Sequence, residues 1–139
     1  MFSDLFISSK NKKHLANLLN LAKADGFFHL NEYEFLLVVA RKYGLSADYL
    51  QKMQKENKDS SYILPKNNLE RFLYWYDLMN MVLADNIIHE KEIEYCKQIA
   101  KVFGYKPEAV ILTLKKIQEG QNYEGLYAFL KEKGFLTDR

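Results

Sequence analysis

A trio of Asp, His and Glu occurs twice with the same spacing, and these side chains are the ones best suited to chemistry. The copies lie sixty residues apart and consist of Asp25, His29, Glu32 and of Asp85, His89, Glu92. Oxygen ligands alone favour Ca²⁺ or Mg²⁺, whereas added imidazoles admit Zn²⁺ or Mn²⁺. If the two copies face each other across a pseudo-twofold axis, the side chains converge. This gives the hypothesis that these side chains bind a divalent cation.

Each trio also has a purely structural interpretation. A Glu three residues after His29 or His89 has the spacing of a capping box, in which the carboxylate returns to the backbone N–H at the helix start. Each Asp falls in the last turn of a helix, where the helix dipole disfavours a carboxylate. It could accept backbone N–H groups of the following loop as an Asx turn, or it could face a charged partner. An EF-hand is excluded, because Leu21 and Lys23 would occupy its first two ligand positions.

The repeat that carries the trios extends well beyond them. Residues 18–50 and 78–110 align without a gap, and the aligned pairs include Leu18/Leu78, Ala24/Ala84, Ala40/Ala100 and Gly44/Gly104. Internal repetition at a fixed offset indicates one structural unit built twice. Here the unit is a helix, a hinge and a second helix. We predict one domain over residues 1–139, with repeats at about 12–57 and 67–119 and a linker at about 58–66.

Hydrophobic periodicity predicts an all-α fold of about seven helices, since no stretch alternates with period two. Gly26 and Asn86 are expected to close the first helix of each repeat in the left-handed conformation. Ser46 and Asn67 or Asn68 are expected to cap helix starts. The helical pattern covers about residues 14–25, 30–43, 47–57, 67–85, 90–103, 107–119 and 123–133.

Composition excludes several classes of function. The net charge is +2, and only three of the 20 basic residues are Arg, the residue expected to read bases and phosphates. The single Cys96 excludes an internal disulfide framework and a cysteine-based zinc site. We find no signal peptide and no apolar run of membrane-spanning length, so we expect a cytoplasmic protein. No phosphate-binding loop or nucleophile–base pair is apparent, so we expect no enzyme.

Two further surfaces could bind partners. The aromatic run of the fourth helix is expected to turn Tyr74 or Trp75 outward as an anchor for a protein partner. The alternative is that Trp75 packs against the second half of the chain. A weaker candidate is the N-terminal Lys-rich segment with its apolar neighbours, which could bind a membrane surface or nucleic acid and comprises Phe2, Leu5, Phe6, Lys10, Lys12 and Lys13.

The repeated hinge resembles the TerB-like tellurite-resistance family. The motif stands as Ala24-Asp25-Gly26 followed by Glu32, and as Ala84-Asp85-Asn86 followed by Glu92. It is also similar to the N-terminal region of DnaJ-like membrane co-chaperones, and the resemblance covers about residues 12–120. It implies an all-helical, two-repeat, usually cytoplasmic module whose hinge acids have been proposed to bind metal. Asn86 departs from the usual second Gly, and His29 and His89 stand where Ser, Thr or Asp is usual.

Overall fold

Seven α-helices and no strand make up the part of the protein that the structure describes. The structure is a computed structural model that describes residues 8–24, 26, 28–56 and 61–136. The prediction of an all-α fold with about seven helices is confirmed for these residues. The helices are α1 (Ser9–Ala22), α2 (Leu30–Lys42), α3 (Ala47–Lys55), α4 (Asn68–Leu83), α5 (Glu90–Phe103), α6 (Ala109–Gln118) and α7 (Tyr123–Glu132).

Side-chain caps fix several of the helix starts. The Ser46 hydroxyl accepts the Tyr49 N–H at 3.1 Å, and the Asn67 side chain accepts the N–H groups of Leu69 and Glu70 at 2.9 and 3.0 Å. Both caps were expected from the sequence. The first helix begins earlier than its apolar pattern suggests, because Ser8 caps it through the N–H of Asn11 at 3.3 Å. Capping satisfies backbone donors that have no partner within the helix.

The two hinges close in the way that the sequence predicts. Gly26 has φ +91°, and Asn86 has φ +64° and is the only described non-glycine residue with positive φ. Asn occupies this left-handed region more readily than other residues with a Cβ. The chain therefore turns sharply after α1 and after α4, and the starts of α2 and α5 come back toward the ends of the preceding helices.

Helix α4 is the centre of the bundle and contacts α1, α2, α5, α6 and α7. Its Trp75 is fully buried and donates its indole N–H to the Thr113 hydroxyl on α6 at 3.1 Å. The rings of Phe103 and Tyr105 lie 5.9 and 5.3 Å from the indole. A buried indole with a satisfied N–H stabilises the core both by its large apolar area and by its hydrogen bond.

The expectation that Tyr74 or Trp75 faces outward is therefore wrong. Tyr74 is 2% exposed and Trp75 is 0% exposed. Five helices contact α4, and the partly exposed residues along its middle are Leu73, Tyr76 and Asn80. Tyr74 and Trp75 therefore both lie on packed faces. Trp75 packs against the second half of the chain, as the alternative interpretation held.

Equivalent residues of the two repeats meet face to face. His14 on α1 stacks on Tyr74 on α4, with ring centroids 3.9 Å apart and planes 6° from parallel. His29 and His89 stack with centroids 5.3 Å apart at 10°. Each pair has the sixty-residue offset of the sequence repeat. The described residues thus have a local pseudo-twofold relation, and the helix starts at Leu30 and Glu90 are brought together by it.

No helix in the described ranges is both long enough and apolar enough to span a membrane.

Candidate metal centre

Asp85 is the residue around which the hinge cluster is built. Its Oδ1 accepts the backbone N–H of Ile87 at 3.0 Å, which is an Asx turn in the loop after α4. Its Oδ2 lies 2.9 Å from Nε2 of His89 and 3.6 Å from Nε2 of His29. Asp85 therefore satisfies both structural interpretations of the sequence at once: it holds the loop, and it faces polar partners from both repeats.

The three side chains form a compact set of possible metal ligands. One ligand atom from each of His29, Asp85 and His89 lies within 4.8 Å of the other two. Two ligands bound to a tetrahedral Zn²⁺ at about 2.0–2.1 Å are themselves about 3.3 Å apart. The two nitrogen–oxygen distances of 3.6 and 2.9 Å bracket that value. Small side-chain rotations would bring these three atoms to the spacing that a zinc-type cation requires.

The aspartate of the cluster is nearly buried, and its two histidines are partly exposed to solvent. The Asp85 side chain is 8% exposed, whereas those of His89 and His29 are 21% and 36% exposed. Burial tends to raise the pKa of Asp85, but the hydrogen bonds from His89 and from the Ile87 N–H outweigh it and hold the pKa below its usual value. Asp85 is therefore an anion at neutral pH, and an ion can reach it from solvent.

Glu32 lies directly behind the cluster, without contact with solvent. Its Oε1 accepts the His29 N–H at 3.2 Å, which is the capping contact that the spacing predicts. Its Oε2 is buried and has no hydrogen-bond partner among the described residues. Burial raises the pKa of Glu32, and its interactions with the Glu92 carboxyl group and the His29 N–H only partly offset that rise.

Glu92 completes an acidic pair with Glu32, and both residues are 0% exposed. Two carboxyl groups in contact away from water repel each other when both are ionised, so a shared proton or a nearby cation must offset the charge. The pKa of Glu32 is also affected by electrostatic interaction with Asp85 and His29, so the pair lies next to the cluster. A cation bound at the cluster would lie next to this acidic pair and would reduce the repulsion between its charges.

The structure brings together most of the residues predicted for the site. His29, Asp85 and His89 form the cluster, and Glu32 and Glu92 lie behind it. The sixth predicted residue, Asp25, lies outside the described residues. Burial, with a smaller contribution from the nearby Glu92 carboxylate, raises the pKa of the Cys96 thiol, so the neutral thiol is a poor ligand.

A second polar cluster, which the sequence analysis did not identify, lies between α1, α2 and α4. The buried Asp77 carboxylate accepts hydrogen bonds from His14 at 3.0 Å, from Lys42 at 2.7 Å and from the Tyr43 hydroxyl at 2.8 Å. The opposite ring nitrogen of His14 is 2.7 Å from the Tyr62 hydroxyl. An Asp within the apolar pattern of a central helix was the available signal, since a buried carboxylate requires donors.

The partners of His14 assign its tautomer. Asp77 can only accept, so His14 donates from Nε2 and its Nδ1 accepts the Tyr62 hydroxyl proton. Burial lowers the pKa of His14, so the ring is neutral at pH 7. Burial by itself would raise the pKa of Asp77, but His14 and Lys42 outweigh it and keep the carboxylate ionised. The hydrogen bonds of His14, Asp77, Lys42 and Tyr43 join α1, α2 and α4, so we interpret this cluster as structural.

The N-terminal basic segment lies at the start of α1, and one of its lysines contacts α3. Lys10, Lys12 and Lys13 lie in the first turns of α1, and the Lys12 ammonium group is 5.5 Å from the centre of the Tyr49 ring. The apolar residues predicted to accompany them, Phe2, Leu5 and Phe6, lie outside the described residues. Membrane-surface or nucleic-acid binding by this segment stays a prediction.

Comparisons of this chain with protein-family models, with curated proteins and with solved structures found no match.

Proposed function

We propose that this protein is a non-enzymatic helical module that binds one divalent transition-metal cation, of the Zn²⁺ type, between its two repeats. His29, Asp85 and His89 are the proposed ligands. The observation that carries the proposal is the convergence of these three ligand atoms within 4.8 Å, from hinges sixty residues apart. The resemblance of the hinge motif to the TerB-like family is in accord with a cation-binding module.

The ligand set favours zinc-type cations over the Ca²⁺ or Mg²⁺ that oxygen ligands alone would suggest. Imidazole is a preferred ligand of Zn²⁺, Co²⁺ and Ni²⁺, whereas Ca²⁺ and Mg²⁺ take oxygen ligands. Two of the three converging side chains are imidazoles. Three protein ligands leave a fourth position open on the exposed histidine side, where water or a group from another molecule can bind.

The position of the site suggests what the cation does. It joins the start of α2 to the hinge that connects α4 and α5, so it couples the two repeats directly. In this proposal the cation stabilises one arrangement of the repeats, and the module presents that arrangement to a protein partner, as in a response to stress. The buried position of Glu32 and Glu92 supports a non-enzymatic role, because a substrate has no access to these carboxyl groups.

Isothermal titration calorimetry of the chelator-treated protein with ZnCl₂, CaCl₂ and MgCl₂ tests the proposal. We expect one Zn²⁺ per chain and much weaker or no binding of Ca²⁺ and Mg²⁺. His29→Ala, His89→Ala and Asp85→Asn should each weaken Zn²⁺ binding at least tenfold. Glu34→Gln is the matched control, because Glu34 is an exposed carboxylate on the same helix as His29 and Glu32.

The three histidines of the chain provide a second measurement without any substitution. Zinc should shift the imidazole NMR signals of His29 and His89 and leave those of His14 unchanged, because His14 is fully buried in the other polar cluster. The proposal is wrong if Zn²⁺ gives no heat and no shift, or if the three variants bind it as the wild type does.

A further inference from the structure

A groove on the side of α5 and α6 has the composition of a peptide-docking surface. It encloses about 490 Å³ and is lined by apolar side chains along its floor with charged groups at its margin, namely Lys97, Pro107, Glu108, Ile111, Leu112, Lys115 and Phe135. This groove involves neither of the polar clusters described above.

The floor of the groove is apolar and partly open to water. Ile111 on α6 is 52% exposed, although its neighbours along the groove, Leu112 and Phe135, are half-buried. Phe135 is held in place by its backbone, since its N–H donates to the Leu130 carbonyl at 3.0 Å and its carbonyl accepts the Lys106 N–H at 3.0 Å. An apolar floor that stays exposed in this way is typical of a surface that a partner covers.

The margin of the groove is predominantly positive. Lys97 and Lys115 line it, and the Lys106 ammonium group lies 5.9 Å from the centre of the Phe135 ring. The carboxylates at the margin are fewer: Glu108 lines the groove, and Glu94 is 3.9 Å from the Lys97 ammonium group. Three ammonium groups therefore lie at the groove beside two carboxylates, and the excess of positive charge favours an acidic partner.

The shape of the groove indicates that the partner segment is a short helix. Two helices that pack side by side, such as α5 and α6, leave a groove into which the apolar stripe of a third helix fits. Helix α6 has 10 residues, so its length of about 15 Å matches a partner helix of two to three turns. Such a helix places its anchors at positions i, i+3 or i+4, and i+7.

We propose that the α5–α6 groove docks a short amphipathic helix from a protein partner, with apolar anchors on one face and Asp or Glu beside them. The proposal rests on the part of the proposed function that describes an interaction module, and it does not depend on the cation site. Ile111 is the central apolar contact, and Lys97 and Lys115, which line the groove, attract the acidic residues.

Selection from a phage-displayed library of random 16-residue peptides, with the full chain as bait, tests this proposal. We expect enriched peptides with helical apolar spacing and flanking acidic residues. A synthesised, fluorescein-labelled enriched peptide should then bind with an affinity that falls at least tenfold in Ile111→Asp and severalfold in Lys115→Glu. Its binding should weaken as salt increases, because charge attraction at an exposed margin is screened.

Val38→Asp is the matched control. Val38 on α2 is 61% exposed, a β-branched apolar residue as open as Ile111 but outside the groove, so this variant should bind the peptide as the wild type does. Circular dichroism and thermal unfolding of each variant identify any loss of binding that is caused by misfolding. Zn²⁺ titration of Ile111→Asp should be unchanged, which separates failure of the groove from failure of the cation site.

Other outcomes would overturn the proposal. Selection that enriches no peptides, or basic ones, or peptides whose binding survives Ile111→Asp would contradict it. The groove could instead be occupied by a second copy, in which case the wild type would dimerise in light scattering and Ile111→Asp would be monomeric. It could also be a lipid-binding surface, in which case vesicles of phosphatidylserine and phosphatidylcholine would bind the wild type and not Ile111→Asp.

Discussion

At the scale of single residues, the most informative feature is the buried pair of Glu32 and Glu92. Neither has access to water, and a buried Oε2 of Glu32 has no hydrogen-bond partner among the described residues. Such groups lower stability unless something compensates them. If the His–Asp–His cluster binds a cation as proposed, the buried pair behind it lowers the stability of the metal-free protein and strengthens binding of the ion.

The first prediction concerns the buried carboxyl group of Glu32. Glu32→Gln removes a buried negative charge while its amide oxygen can still accept the His29 N–H, so the metal-free protein should become more stable by roughly 1–3 kcal/mol at pH 7.5. Zn²⁺ binding should weaken by the same substitution, because the positive ion loses a nearby carboxylate. Urea unfolding of metal-free protein and zinc calorimetry measure the two effects.

Glu34→Gln serves as the control for both measurements, since Glu34 is exposed two residues away. We expect it to leave stability within about 0.5 kcal/mol of wild type, as surface substitutions usually do. If Glu32→Gln destabilises the metal-free protein, the carboxylate has a structural partner and the proposed strain does not exist.

At the scale of elements, the hinges decide where the ligands are placed. Gly26 and Asn86 both have positive φ, and they let α2 and α5 start beside each other. An added Cβ at Gly26 would meet nothing within 4 Å, so any effect of a substitution there comes from the backbone conformation alone.

The second prediction concerns these hinge conformations. Gly26→Ala and Asn86→Ala should each lower the free energy of unfolding by about 1–2 kcal/mol, because Ala is disfavoured in the left-handed region. Asn86→Gly should be neutral or slightly stabilising, since Gly adopts positive φ without a steric cost. Urea unfolding compares the three variants, and equal stabilities of Asn86→Ala and Asn86→Gly would contradict the assignment.

Much of the fold could be predicted from local sequence, and the reasons are physical. Apolar periodicity, left-handed Gly and Asn residues and Ser or Asn caps act within a few residues, so the helices and hinges follow from short windows. The sixty-residue repeat also indicated that His29, Asp85 and His89 could converge. The capping contact of Glu32 and the Asx turn of Asp85 followed from local spacing, whereas the convergence of the ligands could be inferred only because repetition carries long-range information.

The remainder depended on contacts that no local pattern encodes. Asp77 accepts hydrogen bonds from His14, 63 residues away in the chain, and from Lys42, 35 residues away. Nothing in the local sequence distinguishes either donor from a surface residue. The burial of Tyr74 and Trp75 depends on how many helices surround α4, and the periodicity of α4 alone does not give that number. The α5–α6 groove likewise exists only once Phe135 has folded back beside α6.

At the scale of the whole molecule, the cluster of His14 and Asp77 makes stability depend on pH. The folded protein holds His14 neutral with a pKa below its ordinary value of 6.5, whereas the unfolded chain lets it take up a proton. The stabilisation is therefore present above pH 6.5 and is lost as pH falls below it. Glu32, whose pKa is raised, acts in the opposite sense, because its contribution is lost as pH rises through its folded pKa.

The third prediction isolates the contribution of His14. The wild type should exceed His14→Gln in stability at pH 7.5, and that difference should shrink at pH 5.5 by up to about 1.4 kcal/mol for each pH unit below 6.5. Taking the difference between two proteins at each pH removes titrations that both share, including those of Glu32 and Asp85. Urea unfolding at the two pH values measures it, and a constant difference would show that His14 is not held neutral.

The meeting of α1 with α4 also determines the order of events when the protein folds and unfolds. These helices lie about sixty residues apart in the chain, so His29 comes to Asp85 and His89 only when the two halves dock. An ion that needs all three ligands binds the finished molecule and not the separated halves. Zinc should therefore act on kinetics mainly by slowing unfolding, while the rate of folding stays nearly unchanged.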